Sequence, residues 1–119
     1  MIVAITSQGT DLDSEVDPRF GRARYFLVLN TETDQVEAHD NEQNLNAVQG
    51  AGIQAARNVK ALNVEEIITG NIGPKAFDVL NATGIRIFLG AKGTVRQAVE
   101  QWKAGELKKT ENANVNGHW

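Results

Sequence analysis

Short apolar runs and helically spaced apolar residues alternate along the chain, separated by polar loops. The apolar runs predict strands, and a short turn at residues 31–34 predicts that the next segment returns as an antiparallel partner. The predicted strands cover residues 2–5, 25–29, 35–39, 65–69 and 85–89. Apolar residues at helical spacing, with Pro74 and Thr94 as helix-start residues, predict the helices. The predicted helices cover residues 47–62, 74–83 and 94–104.

The order β-β-β-α-β-α-β-α predicts an α/β fold with a five-stranded mixed sheet and flanking helices. If the first strand points up, the third strand and both strands that follow helices also point up. Four loops then share one edge of the sheet, here called the upper edge, at residues 6–24, 40–46, 70–74 and 90–93. Open α/β sheets bind ligands at the carboxyl ends of their strands, so the upper edge is the predicted site.

The upper edge combines helix N-termini, glycines and cations, which together predict an anion site. The glycines let a ligand approach the backbone closely, and they are Gly50, Gly52, Gly70, Gly73, Gly90 and Gly93. The cations are Arg19, Arg22, Arg24, Lys75, Lys92 and Arg96. Four acids share the first loop, and we interpret them as solvated or paired with arginines: Asp11, Asp13, Glu15 and Asp17.

Length and composition predict one globular domain. The chain has 119 residues, with 41% apolar and 23% charged residues, and one domain most often has about 100–150 residues. We assign residues 1–104 to a single ligand-binding domain, and the polar, aperiodic residues 105–119 to a flexible C-terminal tail. The start of the chain reads as a strand rather than a signal peptide, which predicts a cytoplasmic protein. The net charge of −3 argues against nucleic-acid binding.

The chain contains no cysteine, which excludes disulfides, thiolate zinc sites and cysteine-ligated iron–sulfur clusters. Any metal must be held by histidine, carboxylate or backbone groups, or must arrive with its own sulfide ligands. His39 is predicted to be a partly buried, hydrogen-bonded strand residue, and His118 lies in the tail. These two histidines are the candidates for direct contact with a metal.

The sequence lacks the arrangements that catalysis would need, which predicts that the protein is not an enzyme. A two-metal nuclease needs a carboxylate on the first strand, and residues 2–6 contain none. Residues 70–75 lack the GK[ST] of a Walker loop, and Pro74 has no amide donor. Helix N-termini can nevertheless bind phosphate without a Walker loop. A phosphate- or nucleotide-binding module is therefore an alternative function. A regulatory protein-interaction domain, anchored by Trp102 or Trp119, is the other alternative.

One segment, DPRFGRA at residues 17–23, carries a family resemblance. Three more pieces follow in order: GAGIQAA at residues 50–56, ITGNIGPKA at 68–76 and GIRIF at 84–88. Together they resemble the dinitrogenase iron–molybdenum cofactor family, which includes NifX- and NafY-like carriers and the C-terminal domain of NifB-like proteins. The resemblance covers about residues 2–104.

The resemblance implies a ribonuclease H-like architecture and the binding of molybdenum- or iron-containing sulfide clusters or their precursors. The chain is most similar to small stand-alone members that hold a molybdenum–copper sulfide cluster without covalent bonds. This similarity implies that the protein carries or stores a Mo-Cu-S or Fe-Mo-S cluster. It also implies that the cluster is exchanged with cluster-delivering or cluster-accepting proteins. No nucleic acid or membrane is expected as a partner. The predicted cluster-binding residues are Arg19, Phe20, Gly21, Arg22, Asn71, Ile72, Gly73 and Lys75.

Overall fold

The computed structural model describes residues 1–41 and 51–115. They form six strands: β1 (Ile2–Ser7), β2 (Tyr25–Asn30), β3 (Val36–Asp40), β4 (Glu66–Ile68), β5 (Arg86–Leu89) and β6 (Lys108–Lys109). They also form α1 (Ala51–Lys60), α2 (Pro74–Ala82), α3 (Val95–Lys103) and a short 3₁₀-helix (Phe20–Arg22). None of the helices in these two ranges is long and apolar enough to cross a membrane.

The strands form one mixed sheet in the order β3-β2-β1-β4-β5-β6. β2 runs antiparallel to both β1 and β3, whereas β1, β4 and β5 run parallel to one another. The chain therefore reaches the upper edge at the ends of β1, β3, β4 and β5. The predicted α/β fold with a mixed sheet and flanking helices is confirmed, while the ribonuclease H-like classification stays a prediction.

The strand count corrects the sequence-based prediction, because six strands are present where five were expected. The additional strand, β6, pairs antiparallel with β5 and places Lys108 opposite Leu89 and Lys109 opposite Phe88. Two consecutive lysines carry neither apolar alternation nor β-propensity, so the strand exists only through its pairing with β5. Lysines at the edge of a sheet also oppose further strand addition.

Apolar side chains cover both faces of the sheet, which explains the near-continuous apolar runs of the central strands. Along β1, Ala4 faces the layer formed by α1 and α2, whereas Val3 and Ile5 face α3. The first layer buries Phe20, Phe26, Val59, Ile67, Ile72 and Leu80. The second layer buries Leu27, Ile68, Val95, Ala98 and Val99. Burying a large apolar side chain stabilises the fold by roughly 1.5–3 kcal/mol.

The helix starts follow from local sequence. Thr94 caps α3 as predicted, because its Oγ1 accepts from the Gln97 N–H at 3.1 Å and the Gln97 Oε1 accepts from the Thr94 N–H at 2.9 Å. Pro74 occupies the first turn of α2, where its missing N–H costs nothing. α1 is described from Ala51, so its predicted start at residue 47 lies outside the described residues.

A buried carboxylate ties α3 to the sheet. The side chain of Glu66 in β4 is 8% exposed and accepts from Arg86 Nε at 2.7 Å. Its other oxygen accepts from Trp102 Nε1 at 2.9 Å. Both carboxylate oxygens thus have charged or polar donors, which offsets the cost of burying the charge.

We expect Glu66→Gln to lower the free energy of unfolding by about 1–3 kcal/mol, because a buried polar group loses its partner. A glutamine keeps one acceptor oxygen but turns a donating amide toward Arg86. Urea denaturation measures the change, with Glu100→Gln as control because Glu100 on α3 is exposed. Equal stabilities of the two variants would contradict this role for Glu66.

Candidate functional site

Two loops that are distant in sequence pair through their backbones at the upper edge. The Asn71 N–H donates to the Pro18 carbonyl at 2.8 Å, and the Phe20 N–H donates to the Asn71 carbonyl at 3.1 Å. The Asn71 side chain adds a third bond, from Nδ2 to the Pro18 carbonyl at 3.0 Å. This short parallel pairing sets Arg19 beside Asn71. The structure therefore brings together the two groups of predicted cluster-binding residues, at positions 19–22 and 71–75, here called the two predicted walls of the site.

The approach of these loops requires glycine at position 70. A Cβ on Gly70 would lie 2.8 Å from both Cα and the carbonyl oxygen of Pro18. Both of these atoms belong to the backbone and cannot rotate away. Gly70 is therefore present for close packing rather than for an unusual backbone angle.

Asp17 holds the first loop in place. Its Oδ1 accepts from the Arg19 N–H at 2.9 Å and lies 3.8 Å from Arg19 Nε. The Asp17 carbonyl accepts from Thr6 Oγ1 at 2.7 Å, and that hydroxyl lies 2.8 Å from Thr69 Oγ1. Asp17 therefore mainly stabilises the backbone of the first loop. The Arg19 side chain remains 52% exposed.

The other acids of the first loop form ion pairs or short-range hydrogen bonds, or are exposed to solvent, as the sequence predicted. Asp13 pairs with Arg96 at 3.2 Å, and Asp11 accepts from the Asp13 N–H at 2.9 Å. Arg22 and Lys75 are exposed, and no carboxylate in residues 1–41 and 51–115 forms an ion pair with either. Among the described residues, Asp17 beside Arg19 is therefore the only carboxylate paired with a cation of these walls.

The prediction that all three helix starts offer amides to a ligand is wrong for α3. Its first-turn N–H groups at Val95 and Arg96 donate to carbonyls of the first loop, at 2.9 and 2.8 Å. In α2, by contrast, the N–H groups of Lys75 and Ala76 donate to no backbone or side-chain acceptor among the described residues. The start predicted for α1, including Gly50, lies outside those residues.

The predicted cluster-binding residues divide into exposed polar groups and a buried floor. Arg19, Arg22 and Lys75 are exposed, and Asn71 is half-buried. The buried members are Phe20, Gly21, Ile72 and Gly73. Phe20 is fully buried, with its ring centroid 5.6 Å from that of Phe26. Because Phe20 and Ile72 are completely buried, they can exclude water only from beneath the site.

A cleft of about 400 Å³ opens beside Asn71. It lies at the carboxyl ends of β4 and β5, where open α/β sheets bind ligands. Its lining residues are Gly70, Asn71, Leu89, Gly90, Lys108, Thr110 and Asn114. Sequence reasoning missed the last three of these, because residues 105–119 show no periodic signal and had been assigned to a flexible tail.

The histidines do not assemble a metal site with the groups described. His39 in β3 is partly buried, as expected, and its Nε2 lies 3.3 Å from Glu37 Oε2. His118 lies outside the described residues. Across residues 1–41 and 51–115, no three His, Asp or Glu side chains come close enough to hold a metal ion. The described site offers cations, amides and apolar packing, which suit a ligand that brings its own metal ligands.

We expect Gly70→Ala to destabilise the protein by about 1–3 kcal/mol, since its Cβ overlaps backbone atoms that cannot move aside. The matched control is Gly52→Ala in α1, where the new Cβ would lie 3.3 Å from the Ala76 Cβ. There the new Cβ would meet a methyl group at a longer distance than at position 70, and alanine favours the helix. Thermal or urea unfolding compares them. Equal stability of the two variants would show that the Pro18 contact imposes no constraint.

Known proteins of similar sequence share this fold. A family model described as dinitrogenase iron-molybdenum cofactor matches residues 1–105. The apo form of the orange protein from Desulfovibrio gigas is 39% identical, with a TM-score of 0.90 and 96% of each chain covered. A Thermotoga protein provisionally described as NifB is 33% identical, with a TM-score of 0.82 and 98% of each chain covered.

A curated relative of similar length is also found, and it has no assigned role. It is an uncharacterized protein of Methanocaldococcus jannaschii that is 27% identical over 101 residues, covering 83% of this chain and 86% of the relative. The family match spans nearly all of the described structure, including the paired loops at Pro18 and Asn71. This chain belongs to the dinitrogenase iron–molybdenum cofactor family.

Proposed function

We propose that this protein binds an anionic, molybdenum-containing metal–sulfide cluster without covalent bonds, and carries or stores it. The observation that carries the proposal is a set of exposed cations at the upper edge, of which Arg22 and Lys75 pair with no described carboxylate. They flank two loops that are fixed to each other at Pro18 and Asn71. Because the backbones of these loops are already fixed, they lose little entropy when they bind an anion.

The donor chemistry fits such a cluster as cargo. A chain without cysteine supplies no thiolate, so the cluster must keep its own sulfides. Guanidinium and ammonium groups can donate to those sulfides and offset the net negative charge. The N–H groups of Lys75 and Ala76 at the start of α2 add the positive end of a helix dipole.

Shape and packing support the same ligand class. The cleft beside Asn71, about 400 Å³ in volume, falls within the range of roughly 300–1,000 Å³ typical of small-molecule sites. Phe20 and Ile72 seal the floor beneath the loops. Labile metal–sulfide bonds would thus be shielded from water on the protein side.

The role is binding rather than catalysis, because the assigned residues are cations, an amide and buried apolar groups. The family match and the similarity to the orange protein and to the Thermotoga protein support a cofactor-related cargo. Both Mo-Cu-S and Fe-Mo-S clusters satisfy this chemistry. Cluster-delivering and cluster-accepting proteins in the cytoplasm are the partners that a carrier of this kind requires.

The proposal is tested by mixing the protein with tetrathiomolybdate, alone and with copper or iron, and following visible absorption through gel filtration. We expect a chromophore to co-elute with the wild-type protein. Arg19→Ala/Arg22→Ala should weaken its retention about tenfold or more, because two cations of the site are lost, and tenfold corresponds to about 1.4 kcal/mol. Raising the ionic strength should weaken retention as well.

The matched control is Arg57→Ala/Lys60→Ala, which removes the same charge from the last turn of α1. That turn leads into the start of β4 and so lies at the opposite edge of the sheet. Equal loss in both double variants would indicate nonspecific attraction. Absence of a co-eluting chromophore in every mixture would exclude the cluster proposal, and tight nucleotide binding in a parallel assay would favour a phosphate-binding module.

A further inference from the structure

We propose that residues 108–114, here called the C-terminal strap, complete the ligand site. In this inference, which rests on the proposed function, Asn114 fastens the strap across the cleft and Lys108 presents its charge to the bound anion. Three strap residues, Lys108, Thr110 and Asn114, line the cleft together with the end of β5 and the loops that follow β4 and β5. None of these residues belongs to the walls predicted from the sequence.

Asn114 makes three hydrogen bonds to the loop that follows β4. Its Oδ1 accepts from the Ile72 N–H at 2.8 Å, and its Nδ2 donates to Asn71 Oδ1 at 2.9 Å. Its main-chain N–H donates to the Ile72 carbonyl at 3.1 Å. Asn71 in turn donates to Pro18. Asn114 is therefore a positioning residue, because it orients the amide that links both predicted walls.

The strap is held at its other end by the sheet. Lys108 and Lys109 pair with β5, and the Thr110 N–H donates to the Ile87 carbonyl at 2.9 Å. Between the two anchors, Ala113 packs against the core layer of α1 and α2. The cleft lies between these anchors and the loops after β4 and β5. Release of Asn114 would therefore open one side of the cleft while β6 stays attached.

The two strap lysines have different surroundings. Lys108 lies opposite Leu89 and lines the cleft. No carboxylate in the described part of the chain pairs with it, whereas Lys109 lies 3.4 Å from Glu111. Adjacent strand residues point to opposite faces. Replacing either lysine with glutamine removes the same charge from the same strand. The two variants therefore test whether the position of the lost charge, inside or outside the cleft, matters for binding.

The first experiment uses the ligand-free protein and measures amide hydrogen exchange at Ile72 by NMR. Asn114→Ala should accelerate that exchange at least about tenfold, because the N–H loses its acceptor. The matched control is Asn112→Ala, which alters an exposed side chain two residues earlier. Asn114→Asp keeps the acceptor oxygen and should keep the protection. Unchanged exchange in Asn114→Ala would overturn the fastening role.

The second experiment loads each folded variant with copper and tetrathiomolybdate and measures the rate of chromophore loss after dilution. Asn114→Ala and Lys108→Gln should each release it several-fold faster than wild type. Asn112→Ala and Lys109→Gln should release it at the wild-type rate. If the wild-type protein retains no chromophore, the proposed function fails and the strap inference fails with it. If it retains the chromophore but each variant matches its control, only the strap inference is overturned.

Discussion

The close approach of Pro18 and Gly70 is the constraint on which the upper edge depends. Residues far apart in sequence share a backbone pairing there, with Asn71 bonded to Pro18 on one side and to Phe20 on the other. A side chain at position 70 would collide with backbone atoms of Pro18. Because β1 and β4 lie side by side and parallel, the loops that follow them emerge together. The pairing converts two loops into one surface.

The distribution of charge over that surface is compatible with the anion binding proposed above, although the net charge of the protein is −3. Two acids of the first loop make structural contacts. The Asp17 carboxylate accepts a hydrogen bond from the Arg19 N–H, and Asp13 pairs with Arg96. Lys75 and Arg22 have no such partner among the described residues. Net charge therefore says little about this site, since the local arrangement decides which charges stay available to a ligand.

Sequence patterns were sufficient for the elements that carry a periodic or capping signal. The alternation of apolar runs predicted the five longer strands, and their order predicted which loops share an edge. Thr94 and Pro74 marked helix starts because capping and the first helical turn are local effects. The segment at residues 17–23 indicated the family, and nearly the whole chain matches that family's model.

The sequence by itself determined the α/β order, the shared edge and the family. Tertiary structure alone decided that Phe20 and Ile72 form a buried floor, that the first loop occupies the amides of α3, and that Lys108, Thr110 and Asn114 line the cleft. The physical reason is the range of the interactions. Periodicity and capping act over a few residues, whereas β6 and the Asn114 bonds form only when distant segments meet.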